Sequence, residues 1–237
     1  MKICMIQQDQ WVVPGEYLRW ARRRGHEVHH VQCWRHDPLP AEADADMLIV
    51  LGGNASPATT KAELEYYDAP AEIALIRKYA TAGKAIVGSC LGAQLVGEAM
   101  GAPYGHSPER EFGPIPAHLT AEGKRDPFLR RFPDTFDVGA WHSDMPGLNA
   151  DTAVLAYSEG CPRQIVRYGK YIYGMQAHME FDHDLVVKGL ADAGGALPFT
   201  GRFIQSNEEL LAYDYTEMNQ LLSAFLDDLT ADYEKQM

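Results

Sequence analysis

The feature that most constrains this fold is a cysteine placed between a short apolar run and a helix. Residues 85–94 are Ala-Ile-Val-Gly-Ser-Cys-Leu-Gly-Ala-Gln, and residues 93–100 are predicted to be helical. A nucleophile at a strand-to-helix turn presents its side chain on a sharp bend, and flanking glycines leave room because they lack a Cβ atom. The N-terminus of the following helix favours a thiolate. Cys90 is therefore predicted to be a reactive nucleophile, although burial as a small hydrophobic residue is the commoner role of a cysteine.

A second segment supplies the groups that such a nucleophile needs. Residues 174–180 follow another apolar run and are Gly-Met-Gln-Ala-His-Met-Glu. His178 can act as a base, and Glu180 can orient it from two residues further on. Nucleophile, base and orienting acid are the three parts of a covalent hydrolase, so Cys90, His178 and Glu180 are the predicted catalytic residues.

Other short motifs accompany these two segments in a fixed order. They are Gly52-Gly53, the 88–94 motif that ends in Gln94, Glu111-Phe112-Gly113, Trp141-His142-Ser143-Asp144, Gln164 and the 174–180 segment. Together they resemble the class I glutamine amidotransferases, particularly the stand-alone branch similar to the amidotransferase domain of GMP synthase. The resemblance covers about residues 45 to 181. Its specific part is the cysteine motif with its glutamine, taken together with the His-x-Glu pair.

The resemblance implies a fold and further site residues. The fold is α/β, a three-layer α/β/α arrangement of the flavodoxin-like kind with a mostly parallel central sheet. The backbone N–H of Leu91 follows the nucleophile and can donate to the oxyanion, and the resemblance assigns the second donor to Gly53. It also implies substrate-binding positions, which are Gly52, Gln94, Glu111, Gly113, His142 and Asp144. The alternatives are an ordinary exposed helix position for Gln94 and a surface loop for the last four.

The implied reaction is hydrolysis of a side-chain amide. Cys90 attacks the γ-carboxamide of glutamine, His178 returns the proton to the departing ammonia, and water then hydrolyses the γ-glutamyl thioester. Nothing in this chemistry needs a metal or a cofactor, and we expect none. Two clusters of potential ligands offer an alternative, namely His29, His30, Cys33 and His36, and His178, Glu180, Asp182, His183 and Asp184. The first lacks the paired spacing of structural zinc sites, and strand alternation sends its two adjacent histidines to opposite faces.

The sequence departs from the family pattern at several positions. Asn54 stands where proline usually follows the two glycines, and Ser143 replaces the glycine of a His-Gly-Asp element. Ala177 and Met179 replace the phenylalanine and proline that flank the catalytic histidine. We expect the last two changes to alter packing around the base, and they could open the pocket to a group bulkier than ammonia.

Alternation along the chain indicates a parallel sheet followed by a mixed region. Strands are predicted at 2–7, 26–32 and 47–51 and in the run leading into Cys90, with helices at 14–25, 69–82 and 93–100. Residues 101–138 are rich in glycine and proline. Short strands follow from the pattern at 115–120, 138–141, 153–158, 164–168 and 171–175, with a hairpin turn at 167–171. Helices are predicted at 182–193 and 213–233, joined by a loop.

Length and charge limit the remaining possibilities. The chain has 237 residues, which suits a single domain spanning 1–237, and its net charge of −12 argues against nucleic acid and anionic membranes as partners. No apolar run approaches the length of a membrane span, and the N-terminus turns polar at Gln7, too early for a signal peptide. The four cysteines have no framework spacing, so a cytoplasmic location is expected.

Three functions remain open at this point. One is hydrolysis of glutamine or of a γ-glutamyl amide or peptide. The second is ammonia donation to a separate synthetase, because the residues after Glu180 contain no phosphate-binding G-x-x-x-x-G-K-[ST] loop. The third is a binding or regulatory module that keeps the fold without turnover. The sequence slightly favours hydrolysis of a γ-glutamyl compound.

Overall fold

A computed structural model describes residues 1–192 and 200–236 of the chain. Its strands are β1 (Lys2–Gln7), β2 (Glu27–Gln32), β3 (Met47–Val50), β4 (Ala85–Ser89), β5 (Gly105–Leu119), β6 (Thr135–Met145), β7 (Ala153–Ser158), β8 (Ile165–Gly169), β9 (Ile172–Met175) and β10 (Phe203–Ile204). Its α-helices are α1 (Gly15–Arg23), α2 (Ala69–Thr81), α3 (Leu91–Ala99), α4 (His183–Asp192), α5 (Asn207–Ala212) and α6 (Thr216–Glu234). Two short 3₁₀ turns lie at Cys33–Arg35 and Gly123–Arg125.

The strands described form one sheet whose centre is parallel. The order is β10-β5-β7-β8-β9-β4-β3-β1-β2, with β6 paired to β5. Pairing is parallel from β2 through β1, β3 and β4 to β9, and antiparallel from β9 through β8 and β7 to β5 and β6. The predicted mostly parallel central sheet is therefore confirmed, and the β2-β1-β3-β4 order is that of flavodoxin-like sheets.

Helices cover both faces of the parallel part. All residues of β3 and β4 are buried, as expected when each face of a strand carries a helix layer. Met47 and Ile49 join one core cluster, with side chains from α1 and α6, whereas Leu48 and Val50 join a second cluster with α2 and α3. Strand alternation thus builds the predicted three layers.

The first half of the chain follows the predicted pattern closely, and the second half departs from it. β5 is a strand of 15 residues, far longer than the predicted 115–120 segment, because it pairs with β6, β7 and β10. The predicted loop between the last two helices contains β10 and α5. α5 begins at a capping box in which Ser206 and Glu209 bond each other's backbone N–H groups, a signal present in the sequence. Residue 193, predicted as the end of α4, lies outside the described residues.

Two further observations concern membrane-spanning helices and disulfide bonds. Within the described ranges, no helix combines the length and the apolar composition that crossing a bilayer requires. All four cysteines lie in those ranges, and each is buried and free of a disulfide bond.

Close backbone packing explains the two glycines that flank the Cys90 turn. A Cβ atom on Gly92 would lie 1.9 Å from the carbonyl oxygen of Val50, and one on Gly88 would lie 2.4 Å from the oxygen of Gly92. The start of α3 therefore sits directly against β3, and any side chain at these positions would push the Cys90 turn away from the sheet.

We predict that Gly92→Ala lowers the free energy of unfolding by about 1–3 kcal/mol or more, because the added methyl group overlaps the backbone of β3. Urea unfolding measures the change. Gly105→Ala is the matched control, since a Cβ there meets no atom within 4 Å. Equal effects of the two substitutions would contradict the close approach of α3 to β3.

Candidate active site

Cys90 occupies a strained turn between β4 and α3. Its backbone angles are φ 52° and ψ −113°, and among the described residues it shares a positive φ with only one other non-glycine residue, His36. The Cys90 N–H donates to the carbonyl oxygen of Met175 at 2.8 Å, and its own carbonyl accepts from Ala93 and Gln94 in the first turn of α3. The chain thus holds this conformation from both sides, and such strain is typical of functional positions.

His178 and Glu180 form a buried pair beside this turn. The Nδ1 atom of His178 lies 2.6 Å from Glu180 Oε1, and the Glu180 side chain is completely buried. Ser89 Oγ also donates to Glu180 at 3.3 Å. The Phe181 ring stacks on the imidazole at 4.4 Å with an interplanar angle of 12°. Two backbone hydrogen bonds with Gly139 fix the main chain at His178, and the contacts with Glu180 and Phe181 orient its ring.

The surroundings of His178 favour its charged form. Burial lowers the pKa of the imidazole. The charge of Glu180 and the interaction with Cys90 outweigh this effect and raise the pKa of His178 to about 10. The His178 imidazole therefore interacts with both Cys90 and the buried Glu180. The three predicted catalytic residues are therefore brought together, in the order of contacts that a nucleophile, base and orienting acid require.

A pocket of about 240 Å³ opens onto the cysteine and the histidine. Its lining consists of Trp11, Val12, Gly53, Asn54, Cys90, Trp141, His178, Phe181, Leu185 and Gly189. Gly53 is thus at the pocket wall, and Leu91 is the first residue of α3, where a helix offers its N–H groups no partner within the helix. Gly52 stands close by, since a Cβ on it would lie 3.0 Å from Cε1 of His178.

Asp9, which no sequence motif indicated, anchors this wall. Its buried carboxylate accepts the backbone N–H of Asn54 at 2.9 Å and those of Trp11 and Val12 at 2.8 and 3.2 Å. A proline at position 54 would have no N–H to donate. Asn54, which replaces the proline of the family pattern, therefore provides an N–H group through which Asp9, in the loop after β1, supports the Gly53 loop.

Gln94 is buried, so its interpretation as an ordinary exposed helix residue is wrong. Its Nε2 donates to Oε1 of Gln176 at 3.1 Å, and Nε2 of Gln176 lies 3.5 Å from Cys90 Sγ. The carbonyl oxygen of Trp141 is 3.9 Å from the same sulfur. Gln176 is not among the predicted site residues, although it stands two and four residues before His178 and Glu180 and so shares their side of an extended segment.

Glu111 and His142 belong to a separate buried cluster. Glu111 accepts hydrogen bonds from Ser158 Oγ at 2.6 Å, Gln164 Nε2 at 2.7 Å and the Gly160 N–H at 3.2 Å, and His142 Nε2 lies 3.2 Å away. His142 follows Trp141 on β6, so alternation turns it away from the pocket that Trp141 lines. Glu111 faces it across the β5–β6 pair.

Gly113 and Asp144 also lie outside the pocket lining. Gly113 has φ +109°, and a Cβ there would lie 2.8 Å from Gln205 Oε1, so backbone shape accounts for the glycine. Asp144 Oδ1 is 2.6 Å from Nδ1 of the exposed His106. Substrate contacts of these two residues, and of Glu111 and His142, stay predictions.

Cys161 approaches Glu111 and His142 and forms a second Cys-His-Glu group. The potential ligand atoms of this trio lie within 4.8 Å of one another. Among the described residues this is the group that could hold a metal ion, and the two clusters suggested by the sequence do not form such a group. Glu111 already accepts from three hydrogen-bond donors and has His142 Nε2 at 3.2 Å, so its lone-pair sites are largely occupied. Burial raises the pKa of the Cys161 thiol to about 11. The trio therefore fits a structural hydrogen-bond centre better than a metal site or a second nucleophile.

Ala177 and Met179 do not shape the pocket. Both are fully buried in the core cluster that includes the α1 and α6 side chains, and neither is among the lining residues. The expectation that these positions open the pocket is wrong, because their side chains alternate with Gln176 and His178 and face the core. The pocket owes its apolar character to Trp11, Trp141, Phe181 and Leu185 instead.

Comparison with known proteins places these features in a family. Residues 16–188 match the family described as Glutamine amidotransferase class-I. The whole chain is 43% identical over 244 residues to the whole of the glutamine amidotransferase-like protein YfeJ of Salmonella typhimurium. It is 27% identical over 176 residues to one subunit of the glutamine-hydrolyzing GMP synthase of Ignicoccus hospitalis, an alignment that covers 71% of the chain and 86% of that relative.

Solved structures agree with the sequence comparison. The crystal structure of SMU.1228c superposes with a TM-score of 0.93 at 47% identity, covering 97% of this chain and all of that one. A glutamine amidotransferase from Methylobacillus flagellatus has a TM-score of 0.88 at 23% identity, covering 97% of this chain and 94% of that one. The second likeness extends to the fold alone.

We predict that Glu180→Gln lowers the pKa of His178 from its raised value, because the charge that stabilises the imidazolium is removed while burial remains. An NMR titration of the imidazole measures the shift, with the exposed Glu208→Gln as control. The folded-state pKa exceeds the ordinary value of 6.5. This group's contribution to stability is therefore full below pH ~6.5 and is lost as the pH rises toward ~10, and Glu180→Gln should flatten that slope. An unchanged titration of His178 in Glu180→Gln would contradict the pairing.

Proposed function

Since the chain belongs to the class I glutamine amidotransferase family, we propose that it hydrolyses the γ-amide of glutamine or of a γ-glutamyl amide or peptide. The observation that carries the proposal is the position of Cys90. The thiol stands on a strained turn, in one pocket with an imidazole that is hydrogen-bonded to the buried Glu180. These are the parts of a covalent amide hydrolase.

Acylation begins with attack of Cys90 Sγ on the γ-carbonyl carbon. A sulfur–carbon bond forms, and the carbonyl electron pair moves to oxygen, where the N–H groups of Gly53 and Leu91 donate to it. Loss of one such donor typically costs about 10²–10³ in rate. The C–N bond then breaks as the His178 imidazolium gives its proton to the leaving nitrogen. Ammonia or an amine departs, and a γ-glutamyl thioester remains on Cys90.

Deacylation returns the protein to its starting state. His178, now neutral, takes a proton from water, whose oxygen attacks the thioester carbon. The carbon–sulfur bond breaks, glutamate leaves and the sulfur recovers its negative charge beside the imidazolium. Glu180 keeps the imidazole in one tautomer and stabilises its charged form in both halves of the cycle. No step draws on a metal or a cofactor.

The two other candidate functions differ in their support. Likeness to a subunit of GMP synthase supports an ammonia-donating protein that serves a separate synthetase. The complete set of catalytic side chain types, held in contact, argues against a silent binding module. We favour hydrolysis of a γ-glutamyl compound without a partner. The four free cysteines suit a reducing compartment such as the cytoplasm.

The test is a comparison of kcat/KM for glutamine and for a panel of γ-glutamyl peptides, using purified protein. We predict that at least one peptide exceeds glutamine and that Cys90→Ser lowers every value by at least ~10³-fold, because loss of the nucleophile disables the whole catalytic unit. Cys161→Ser is the matched control, since it removes the thiol of the other Cys-His-Glu group and should leave most activity.

Three outcomes would overturn parts of this proposal. If Cys161→Ser were as inactive as Cys90→Ser, the assignment of Cys90 as the nucleophile would be wrong. Negligible turnover of the whole panel, with glutamine hydrolysis only after addition of a partner from cell extract, would establish the ammonia-donating role. Alkylation of Cys90 by a glutamine-mimicking electrophile no faster than that of the other cysteines would favour a silent module.

A further inference from the structure

We propose that the pocket contains a leaving-group subsite for apolar amines and amino acids, formed by Trp11, Phe181 and Leu185. The substrates would then be γ-glutamyl compounds whose second part is hydrophobic. This inference rests on the proposed hydrolysis at Cys90 and specifies its substrate class.

Proton transfer fixes the side of the pocket on which the leaving group must lie. The leaving nitrogen takes its proton from His178, so it must come within hydrogen-bond distance of that imidazole. Any substituent on the nitrogen therefore extends along the His178 side. Phe181 covers one face of the imidazole there, with 4.4 Å between the ring centroids.

The chemistry of that side suits an apolar group. Phe181 stacks on the imidazole there, Trp11 and Leu185 also line the pocket, and Cys90 and His178 are the ionisable side chains among the lining residues described. The α-ammonium and α-carboxylate of a γ-glutamyl group would lose their hydration there without partners, which is costly. They fit better beside the polar groups near the Cys90 sulfur, which are the Gln176 amide at 3.5 Å and the Trp141 carbonyl at 3.9 Å.

Uncovered apolar surface also points to a larger leaving group than ammonia. Trp11 is 37% exposed and Leu185 is half-buried, although both face the pocket. Ammonia would cover none of this surface, whereas an aliphatic or aromatic substituent would remove it from water.

The test varies the leaving group and keeps the γ-glutamyl part constant. Values of kcat/KM are measured for γ-Glu-Gly, γ-Glu-Ala, γ-Glu-Leu and γ-Glu-Phe, and for γ-Glu-Asn as a polar counterpart of similar size to γ-Glu-Leu. The expected gain is about fourfold for each methylene that the subsite buries, so γ-Glu-Leu should exceed γ-Glu-Gly and γ-Glu-Asn by at least about tenfold.

Variants then locate the subsite. Leu185→Ala and Trp11→Ala should each reduce the ratio of kcat/KM for γ-Glu-Leu over γ-Glu-Gly by about fivefold or more. A ratio is insensitive to partial misfolding, which lowers both values alike. Val187→Ala, on the exposed side of α4, is the matched control and should leave the ratio unchanged.

The outcomes separate this inference from the proposed function. Cys90-dependent hydrolysis with no preference for γ-Glu-Leu over γ-Glu-Gly and γ-Glu-Asn would overturn the subsite and leave the proposed function standing. A preference that neither Leu185→Ala nor Trp11→Ala reduces would overturn the assignment to these residues. Absence of Cys90-dependent turnover on every substrate, glutamine included, would overturn both.

Discussion

The site depends on one buried charge pair, between His178 and Glu180. A carboxylate without solvent contact is tolerated only when it is paired and hydrogen-bonded, and Glu180 meets this condition through His178 and Ser89. Ser89 directly precedes Cys90, so the same carboxylate contacts His178 and the last residue of β4. The start of α1 packs on Glu180 as well: the Glu16 N–H donates to its carbonyl, and a Cβ on Gly15 would lie 2.3 Å from that oxygen.

A second buried carboxylate, that of Asp9, organises another part of the pocket wall. Asp9 gathers three backbone N–H groups, from Trp11, Val12 and Asn54, and so joins the loop after β1 to the loop after β3. The expected oxyanion donor at Gly53 and the aromatic ring at Trp11 are therefore positioned by the same group. Placement of the oxyanion and selection of the leaving group would be coupled through this one side chain.

Much of the fold, and the proximity of Cys90, His178 and Glu180, could be predicted because both are encoded locally. Each of the informative patterns lies within a few residues. They are the apolar runs of β3 and β4, the glycines at 88 and 92, and the two-residue spacing of His178 and Glu180. The departures from the family pattern at Ala177 and Met179 were misinterpreted, because such a departure does not say whether a position faces the pocket or the core. The parts that could not be predicted depend on contacts between distant segments. The length of β5 reflects three partner strands, and its prolines conceal it from pattern-based prediction. Asp9 acts on a loop 45 residues away, and nothing near it in the sequence indicates that role.

The central claim is that Cys90 carries a γ-glutamyl thioester during turnover. Its most direct test is mass spectrometry of the protein quenched in acid at short times after mixing with a substrate that the wild-type chain hydrolyses. The predicted result is a mass increase of one γ-glutamyl group on the peptide that contains Cys90. The same increase on the Cys161 peptide, or product formation with Cys90 unmodified at every quench time, would contradict it.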